Sequence, residues 1–271
     1  MATGGNPAII GTAVKAWGDA FRAISAMPLP AGAALILAFL IGAVNLVFMP
    51  DPVPTDGGNL SLQLLSLVTT IVQGFLLAPL AIVVHRYVLL GEVTSRYAIE
   101  PSNPRYLRFV GFAILVNLIW SVPGLASSVL LRGADAPWMT AVGGVLSIVL
   151  FIIIAIVTVR RAILFPAIAV DAPGAGWSNA RNDTKGHSWR VALTFVCVSL
   201  PIIAILAPIG YLVFAPPGLG TTGRIVFAII SPFMGVLGLC AYAATASYFF
   251  RAYATSLGQS GGPGGVRAAV A

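Results

Sequence analysis

Six apolar segments, each long enough to cross a lipid bilayer, dominate this chain of 271 residues. They cover residues 29–49, 62–90, 109–131, 139–170, 191–214 and 225–253. A membrane-spanning helix needs about 20 consecutive apolar residues, and every one of these segments reaches that length. Hydrophobic residues make up 58% of the chain and charged residues 8%, which leaves little material for an aqueous domain. The sequence therefore predicts an all-α fold, a polytopic membrane bundle of six transmembrane helices.

The basic residues are distributed unevenly between the two ends of this predicted bundle. Of the 15 Lys and Arg residues, Arg132 and Arg224 fall in connections on one side. The other thirteen fall on the opposite side: Lys15, Arg22, Arg86, Arg96, Arg105, Arg108, Arg160, Arg161, Arg181, Lys185, Arg190, Arg251 and Arg267. Because basic residues in short loops stay in the cytoplasm, this distribution predicts that both termini are cytoplasmic. An even number of spans satisfies that condition.

The residues before the first span follow an amphipathic helical pattern. Apolar side chains recur every three or four residues at Ile10, Val14, Trp17, Phe21 and Ile24. Polar residues occupy the opposite face: Thr12, Lys15, Asp19 and Arg22. This pattern is typical of a helix lying in the membrane interface; a helix packed against the cytoplasmic end of the bundle is the alternative. We divide the chain into an N-terminal interfacial helix (1–28), a six-helix transmembrane domain (29–256) and a flexible cytoplasmic tail (257–271).

The fourth apolar segment is longer than a bilayer requires. Its 32 residues would form a helix of about 48 Å, against a hydrocarbon core of about 30 Å. Arg160 and Arg161 lie inside the segment, so we expect the helix to leave the bilayer near them. Pro166 has no N–H for the carbonyl of Ala162, and we expect a kink there. A short amphipathic helix is predicted from Trp177 onwards.

Two classes of residue inside the spans have both a structural and a functional interpretation. Asn45, Gln73 and Asn117 are polar groups at mid-membrane depth, and we predict interhelical hydrogen bonds for them. Prolines interrupt several spans: Pro79, Pro123, Pro201, Pro208 and Pro232. Each proline frees a backbone carbonyl that a neighbouring helix or water must satisfy. Their scatter favours ordinary helix kinking over broken helices that line a substrate path.

The sequence carries no pattern that indicates a reaction or a cofactor. His85 and His187 have no partner at a metal-binding spacing, and Gly-x-Ser-x-Gly and P-loop motifs are absent. We interpret Cys197 and Cys240, which lie within apolar spans, as buried small hydrophobes. We therefore predict that the protein is not an enzyme and that it holds no cofactor and no metal.

One predicted cytoplasmic stretch combines charged with aromatic residues. The candidate surface consists of Arg160, Arg161, Asp171, Trp177, Arg181, Lys185, Trp189 and Arg190. Positive-inside anchoring is sufficient to explain its charge; a surface that binds lipid headgroups or a partner protein is the functional alternative. Because Asp171 has the opposite charge, we predict that it pairs with Arg160, Arg161 or Arg190.

This stretch also resembles a known family. Residues 160–171 read RRAILFPAIAVD, residues 177–186 read WSNARNDTKG, and residues 188–190 read SWR. The succession is similar to the signature of YciC-like bacterial inner-membrane proteins, which are related to the membrane domain of some glycerophosphodiester phosphodiesterases. Residues 248–253, YFFRAY, resemble the last helix of that family. The resemblance implies six helices and a bacterial inner-membrane location. It implies no activity, because the phosphodiesterase reaction belongs to a separate soluble barrel.

The function predicted from these observations is non-enzymatic. We expect an integral inner-membrane protein that organises the envelope by binding anionic lipid headgroups, or a membrane-protein partner, at its cytoplasmic face. The alternative is a transporter or channel for a small or lipidic solute, which would need a polar path through the bundle. The net charge of +7 is assigned to loops that face anionic headgroups, and nucleic acid is not an expected partner.

Overall fold

The computed structural model describes residues 8–48, 60–130, 137–214 and 220–258. Within these ranges the regular secondary structure is entirely helical. The helices are α1 (Ile9–Ala26), α2 (Pro28–Phe48), α3 (Leu60–Leu90), α4 (Pro104–Leu130), α5 (Pro137–Val159), α6 (Leu164–Ala169), α7 (Trp177–Asp183), α8 (Ser188–Phe214) and α9 (Gly220–Tyr253). Most of the predicted C-terminal tail, residues 259–271, lies outside the described residues.

Six stretches of the described helices are long and apolar enough to cross a membrane. They are α2, α3, α4, α5 continued through α6, α8 and α9. The prediction of an all-α polytopic bundle is therefore confirmed, and the protein is a multi-pass integral membrane protein. Large apolar side chains on the outside of the bundle, such as Ile148, Phe151 and Ile203, are exposed. In a bilayer these side chains contact lipid, which is as apolar as they are.

Helix α1 is amphipathic as predicted, and it contacts the bundle mainly through small residues that the apolar pattern does not mark, together with Trp17 and Ile24 of that pattern. Its buried residues are Thr12, Ala13, Ala16, Ala20 and Ala23. These small residues let α1 approach α8 and α9 closely, and Trp17 donates from Nε1 to the carbonyl of Val198 at 3.2 Å. Ile10 and Phe21 remain exposed, on the face predicted to meet lipid. The helix is thus packed against the bundle, and its interfacial position stays a prediction.

Helix α9 lies at the centre of the bundle, where it contacts α1, α2, α3, α6 and α8. Its contact with α2 requires a glycine. A Cβ added at Gly42 would lie 3.2 Å from Cγ of Pro232 and 3.6 Å from the carbonyl oxygen of Ala228. That carbonyl is the one that Pro232 leaves without a helical donor. The small residue in α2 therefore lets this helix approach α9 closely at Pro232.

Pro79 interrupts the hydrogen bonding of α3, and neighbouring residues compensate. It has no N–H for the carbonyl of Phe75, four residues earlier. Tyr106 on α4 donates its hydroxyl to that carbonyl oxygen at 2.7 Å. The Tyr97 hydroxyl, from the connection before α4, donates to the carbonyl of Leu76. The predicted satisfaction of a proline-freed carbonyl by the bundle is confirmed at this position.

We expect Tyr106→Phe to lower the unfolding free energy by about 1–2 kcal/mol, because the carbonyl of Phe75 would lose its donor. Tyr106 is 3% exposed, so water has little access to replace the hydroxyl. Unfolding in detergent micelles measures the effect. Tyr211→Phe, at a position that is 73% exposed, is the control and should be neutral. Equal losses in the two variants would argue against this role for Tyr106.

The fourth span breaks earlier than predicted. Residues 160–163 separate α5 from α6, so the interruption does not fall at Pro166. In and just after this interruption, backbone N–H groups donate to the carbonyl three residues back, and Phe165 at the start of α6 donates to the carbonyl of Ala162 at 3.3 Å. That carbonyl is the one that Pro166 cannot serve, and the tighter turn satisfies it. Pro166 itself lies in the first turn of α6, where helical N–H groups have no partner anyway.

The mid-membrane polar residues differ in their contacts. Thr69 Oγ1 on α3 lies 3.2 Å from Asn45 Oδ1 on α2, the interhelical hydrogen bond predicted for Asn45. The Thr69 hydroxyl shares its single proton between this contact and the carbonyl of Leu65 in its own helix, at 2.7 Å. Asn117 instead donates to the carbonyl of Ala113 in its own helix at 2.9 Å. The prediction is wrong for Asn117, because the carbonyl one turn back is within reach of its amide.

Candidate functional site

Several helix termini meet at one end of the bundle. The C-terminal ends of α3, α6 and α9 lie there beside the first residues of α4 and α8. We call this the basic end, because its contacts involve Arg86, Arg105, Arg108, Arg160, Arg161 and Arg251. It is the end that the distribution of Lys and Arg assigns to the cytoplasm.

Some of these arginines hold the ends of neighbouring helices. Arg251 of α9 donates from Nη2 to the carbonyl of Leu89 at 3.0 Å, in the last turn of α3. Arg86 of α3 donates from Nη1 to the carbonyl of Ala169 at 3.1 Å, at the end of α6. Arg86 also forms a two-pronged ion pair with Glu92, at 2.6 and 2.7 Å. Helix C-terminal carbonyls lack internal donors and favour nearby cations, so these arginines stabilise the fold.

Asp171 pairs with an arginine, but not with one of the three that were predicted. Its carboxylate accepts from Nη2 of Arg105, at the start of α4. The physical reason is the helix break, since α6 is a separate six-residue helix that contacts α4. Asp171 itself has φ of 52°, a left-handed conformation that Asp tolerates better than most residues. The predicted pairing with Arg160, Arg161 or Arg190 is therefore wrong.

Arg161 is held in place by an aromatic stack. Its Cζ lies 4.1 Å from the centroid of the Trp177 ring, and its Nη1 donates to the carbonyl of Val157 at 2.7 Å. Trp177 packs edge-on against Phe112 on α4, with ring centroids 5.8 Å apart. A guanidinium over an indole ring is a favourable cation–π contact. Within the described residues Nε of Arg161 has no hydrogen-bond partner, so part of its donor capacity is unused.

Arg160 joins the end of α5 to the segment that precedes α8. Its Nε donates to Ser188 Oγ at 3.0 Å, and its carbonyl accepts the Thr184 hydroxyl at 2.8 Å. These contacts keep Arg160 beside Arg161, and the positive charges of Arg160 and Arg181 both act on Arg161. Three guanidinium groups are therefore concentrated in one small area.

Exposed side chains extend this area towards the solvent. Arg181 and Lys185 are exposed, Arg190 is half-buried, and Trp189 is 75% exposed. We define the cationic surface as Arg160, Arg161, Arg181 and Lys185. Of the basic residues of the candidate surface, Arg161 lies on Trp177 and Arg160 and Arg181 lie near Arg161, whereas Asp171 belongs to a separate contact with α4.

Asp183, which the sequence analysis does not single out, has a dense set of polar contacts. Its carboxylate accepts from the N–H groups of Thr255, Ser256 and Leu257 at 3.0, 3.1 and 3.0 Å. It also accepts the hydroxyls of Thr255 and Ser256. Leu257, which the prediction assigns to a flexible tail, is fully buried. The carboxylate therefore fastens α7 to the segment after α9.

These contacts set the ionisation of Asp183. Partial burial is the largest single influence on the pKa of this carboxyl and raises it, but the hydroxyl and N–H donors of residues 255–257 together outweigh burial. The pKa of Asp183 is therefore lowered from its ordinary value, and the group is a carboxylate at neutral pH. Sequence reasoning missed it because 72 residues separate Asp183 from Thr255, and no local pattern marks such a pair.

The contacts at the basic end are the basis for any functional conclusion. Comparison of the chain with protein-family models, with curated proteins and with solved structures finds no match in any of the three.

Proposed function

We propose that the protein is a non-enzymatic integral membrane protein that binds anionic lipid headgroups on the cationic surface of its basic end. One observation carries this proposal, namely that the carboxylates near the surface are engaged elsewhere. Within the described residues the ion pairs are Arg22–Asp19, Arg86–Glu92 and Arg105–Asp171. None of these pairs includes a residue of the cationic surface, and Asp183 is occupied by residues 255–257.

A phosphate group suits the charge and the donors of this surface. Neighbouring guanidinium groups repel one another, and an anion between them removes that repulsion. Arginine binds phosphate oxygens with several N–H donors in a fixed fork, and Arg161 is already positioned by Trp177. The exposed Trp189 ring has the chemistry of a residue that anchors at the headgroup level. These features support a lipid phosphate as the ligand.

The location of the surface is part of the proposal. We place the basic end at the inner face of a bacterial inner membrane, with both termini in the cytoplasm. The excess of Lys and Arg at that end supports this orientation, and the resemblance to YciC-like proteins supports the membrane assigned. Anionic lipids in that leaflet attract basic residues by about 1 kcal/mol for each charge near the surface.

Replacing Arg181 and Lys185 together by Gln is expected to weaken retention of anionic lipid by roughly tenfold or more, given about 1 kcal/mol per charge. Both side chains are exposed, so the fold should survive the change. Native mass spectrometry of the purified protein, titrated with phosphatidylglycerol or phosphatidylcholine, measures the loss.

The control is the charge-matched pair Arg22→Gln and Arg96→Gln, which removes two exposed arginines outside the cationic surface. The proposal expects this control to retain phosphatidylglycerol as the unmodified protein does, and phosphatidylcholine to bind weakly to all three proteins. If both double variants lose phosphatidylglycerol equally, the overall positive charge of the basic end explains the binding. The residues of the cationic surface would then only orient the protein in the membrane.

A further inference from the structure

A cavity of about 390 Å³ that opens to the outside of the bundle lies between α3, α4, α6, α8 and α9. Its volume falls within the range of roughly 300–1,000 Å³ that is typical of small-molecule sites. No Asp, Glu, Lys or Arg is among its lining residues. His85 and Gln73, both on α3, line it at separate positions. Twelve residues of helix correspond to about 18 Å, so the cavity is elongated along the bundle axis.

His85 presents a hydrogen-bond acceptor in this cavity. The Ser247 hydroxyl donates to the carbonyl of Ala243 at 2.9 Å, which uses its single proton. His85 Nδ1, 2.9 Å from Ser247 Oγ, must therefore be the donor in that contact. Since burial penalises a charged imidazole and His85 is 2% exposed, the ring is neutral and Nε2 is an acceptor. Within the described residues Nε2 has no hydrogen-bond donor.

The two ends of the cavity lie at different depths in the membrane. His85 lies near the end of α3, at the level of the basic end, whereas Gln73 lies close to the middle of that helix. Gln73 is exposed at the outside of the bundle and makes no hydrogen bond within the described residues. A lipid in the adjacent leaflet has the same polarity, with its head at the level of His85 and its chain towards the middle of the bilayer.

We propose that this cavity binds one chain of an uncharged amphiphile whose hydroxyl group donates a hydrogen bond to His85 Nε2. Apolar contacts alone give little preference, because the cavity and the lipid chains are equally apolar. The unpaired acceptor therefore decides the selectivity. A carboxylate would bring a charge and a second acceptor against Nε2, and a chain without a donor would leave Nε2 unpaired. The site is separate from the cationic surface, which takes an anion.

The test uses purified protein in micelles and a dodecan-1-ol that carries a photoreactive diazirine on its chain. Unlabelled dodecan-1-ol, its methyl ether and dodecanoate compete for labelling, and peptide mass spectrometry locates the label. We expect labelling on α3 and α9, with the alcohol competing at about tenfold lower concentration than the ether or the carboxylate. Equal competition by the alcohol and the ether would overturn the role of His85.

Two variants test the location. Gly235 lines the cavity, and a Cβ built there has nothing within 4 Å, so the side chain in Gly235→Leu starts in open space, should occupy the cavity and should abolish labelling. Gly144→Leu, also with nothing within 4 Å of its Cβ but outside the cavity, should label as before. In His85→Phe the alcohol should lose its advantage over the ether. Unchanged labelling in Gly235→Leu would contradict the site, whatever the stability of His85→Phe.

Discussion

Asp183→Asn is expected to lower the unfolding free energy by about 3 kcal/mol or more. Hydrogen bonds to a charged group are worth about 1.5–3 kcal/mol each, although such contacts are not additive. An asparagine retains one acceptor oxygen, and its NH₂ group would face the N–H donors of residues 255–257 that now bond to the carboxylate. The segment after α9 should therefore detach from α7.

Hydrogen–deuterium exchange of the amides of Thr255 and Leu257 measures this detachment directly, alongside unfolding in micelles. Asp19→Asn is the comparison variant. The Asp19 carboxylate pairs at 2.5 Å with Arg22, whose side chain is 64% exposed, and one pair with an exposed partner is worth less than the several donors on Asp183. Exchange that stays slow in Asp183→Asn would show that the carboxylate is not what holds residues 255–257.

The same contact predicts a pH dependence. The pKa of Asp183 is lower in the folded state than its ordinary value of about 3.9. Its stabilisation is therefore fully present above the unfolded value, and it is lost as the pH falls through the lower folded pKa. We expect the protection factors of the amides of residues 255–257, which are exchange rates corrected for intrinsic exchange at each pH, to be high at neutral pH and to fall below about pH 4. Asp183→Asn should remove most of this pH dependence.

Gly174→Ala is expected to have a comparable effect on the same region, about 3 kcal/mol. A Cβ at this position would lie 2.1 Å from the carbonyl oxygen of Ser256 and 3.0 Å from the Cα of Leu257. Both are backbone atoms, so relief requires movement of the chain. Movement would also break the hydrogen bond from the Gly174 N–H to the carbonyl of Leu257, at 3.2 Å.

Gly176→Ala, in the same connection, is the control. Its Cβ would have one neighbour, the carbonyl oxygen of Gly174 at 3.7 Å, which is an ordinary contact. Thermal unfolding and amide exchange of residues 255–257 compare the two variants. If Gly174→Ala is as stable as Gly176→Ala, the close approach of the two segments is not a requirement of the fold.

The spans were predictable because hydrophobic length is a local property of the sequence. The position of the break in the fourth span was harder to predict. Pro166 identifies the carbonyl that lacks a donor, but it does not determine at which residues the helix is interrupted. The turn at residues 160–163 upstream of the proline changed the partner of Asp171. A pairing argument based on nearness in sequence therefore chose the wrong arginines, whereas Arg105 reaches Asp171 from another helix.

The remaining features of the site depend on tertiary contacts that no periodic pattern marks. Large apolar residues of α1, such as Ile10 and Phe21, are exposed. The contacts with α8 and α9 are made largely by alanines, which are too weakly hydrophobic to mark a packing face in the sequence. In the sequence Asp183 is an ordinary acidic residue in a short polar helix. Only the structure shows that residues 255–257 donate hydrogen bonds to it. The basic stretch was predictable from composition. Its lack of carboxylate partners became visible when the structure assigned Asp171 and Asp183 to other contacts.

The central claim, that the cationic surface meets an anionic inner leaflet, depends on the side of the membrane at which the basic end lies. Cysteine labelling in intact cells with a membrane-impermeant maleimide tests it most directly, after Cys197 and Cys240 are replaced by Ala. Trp138→Cys, at an exposed site at the start of α5 and thus at the opposite end, should be labelled from outside. Lys185→Cys should be labelled after permeabilisation and not before. Labelling of Lys185→Cys in intact cells would contradict the account.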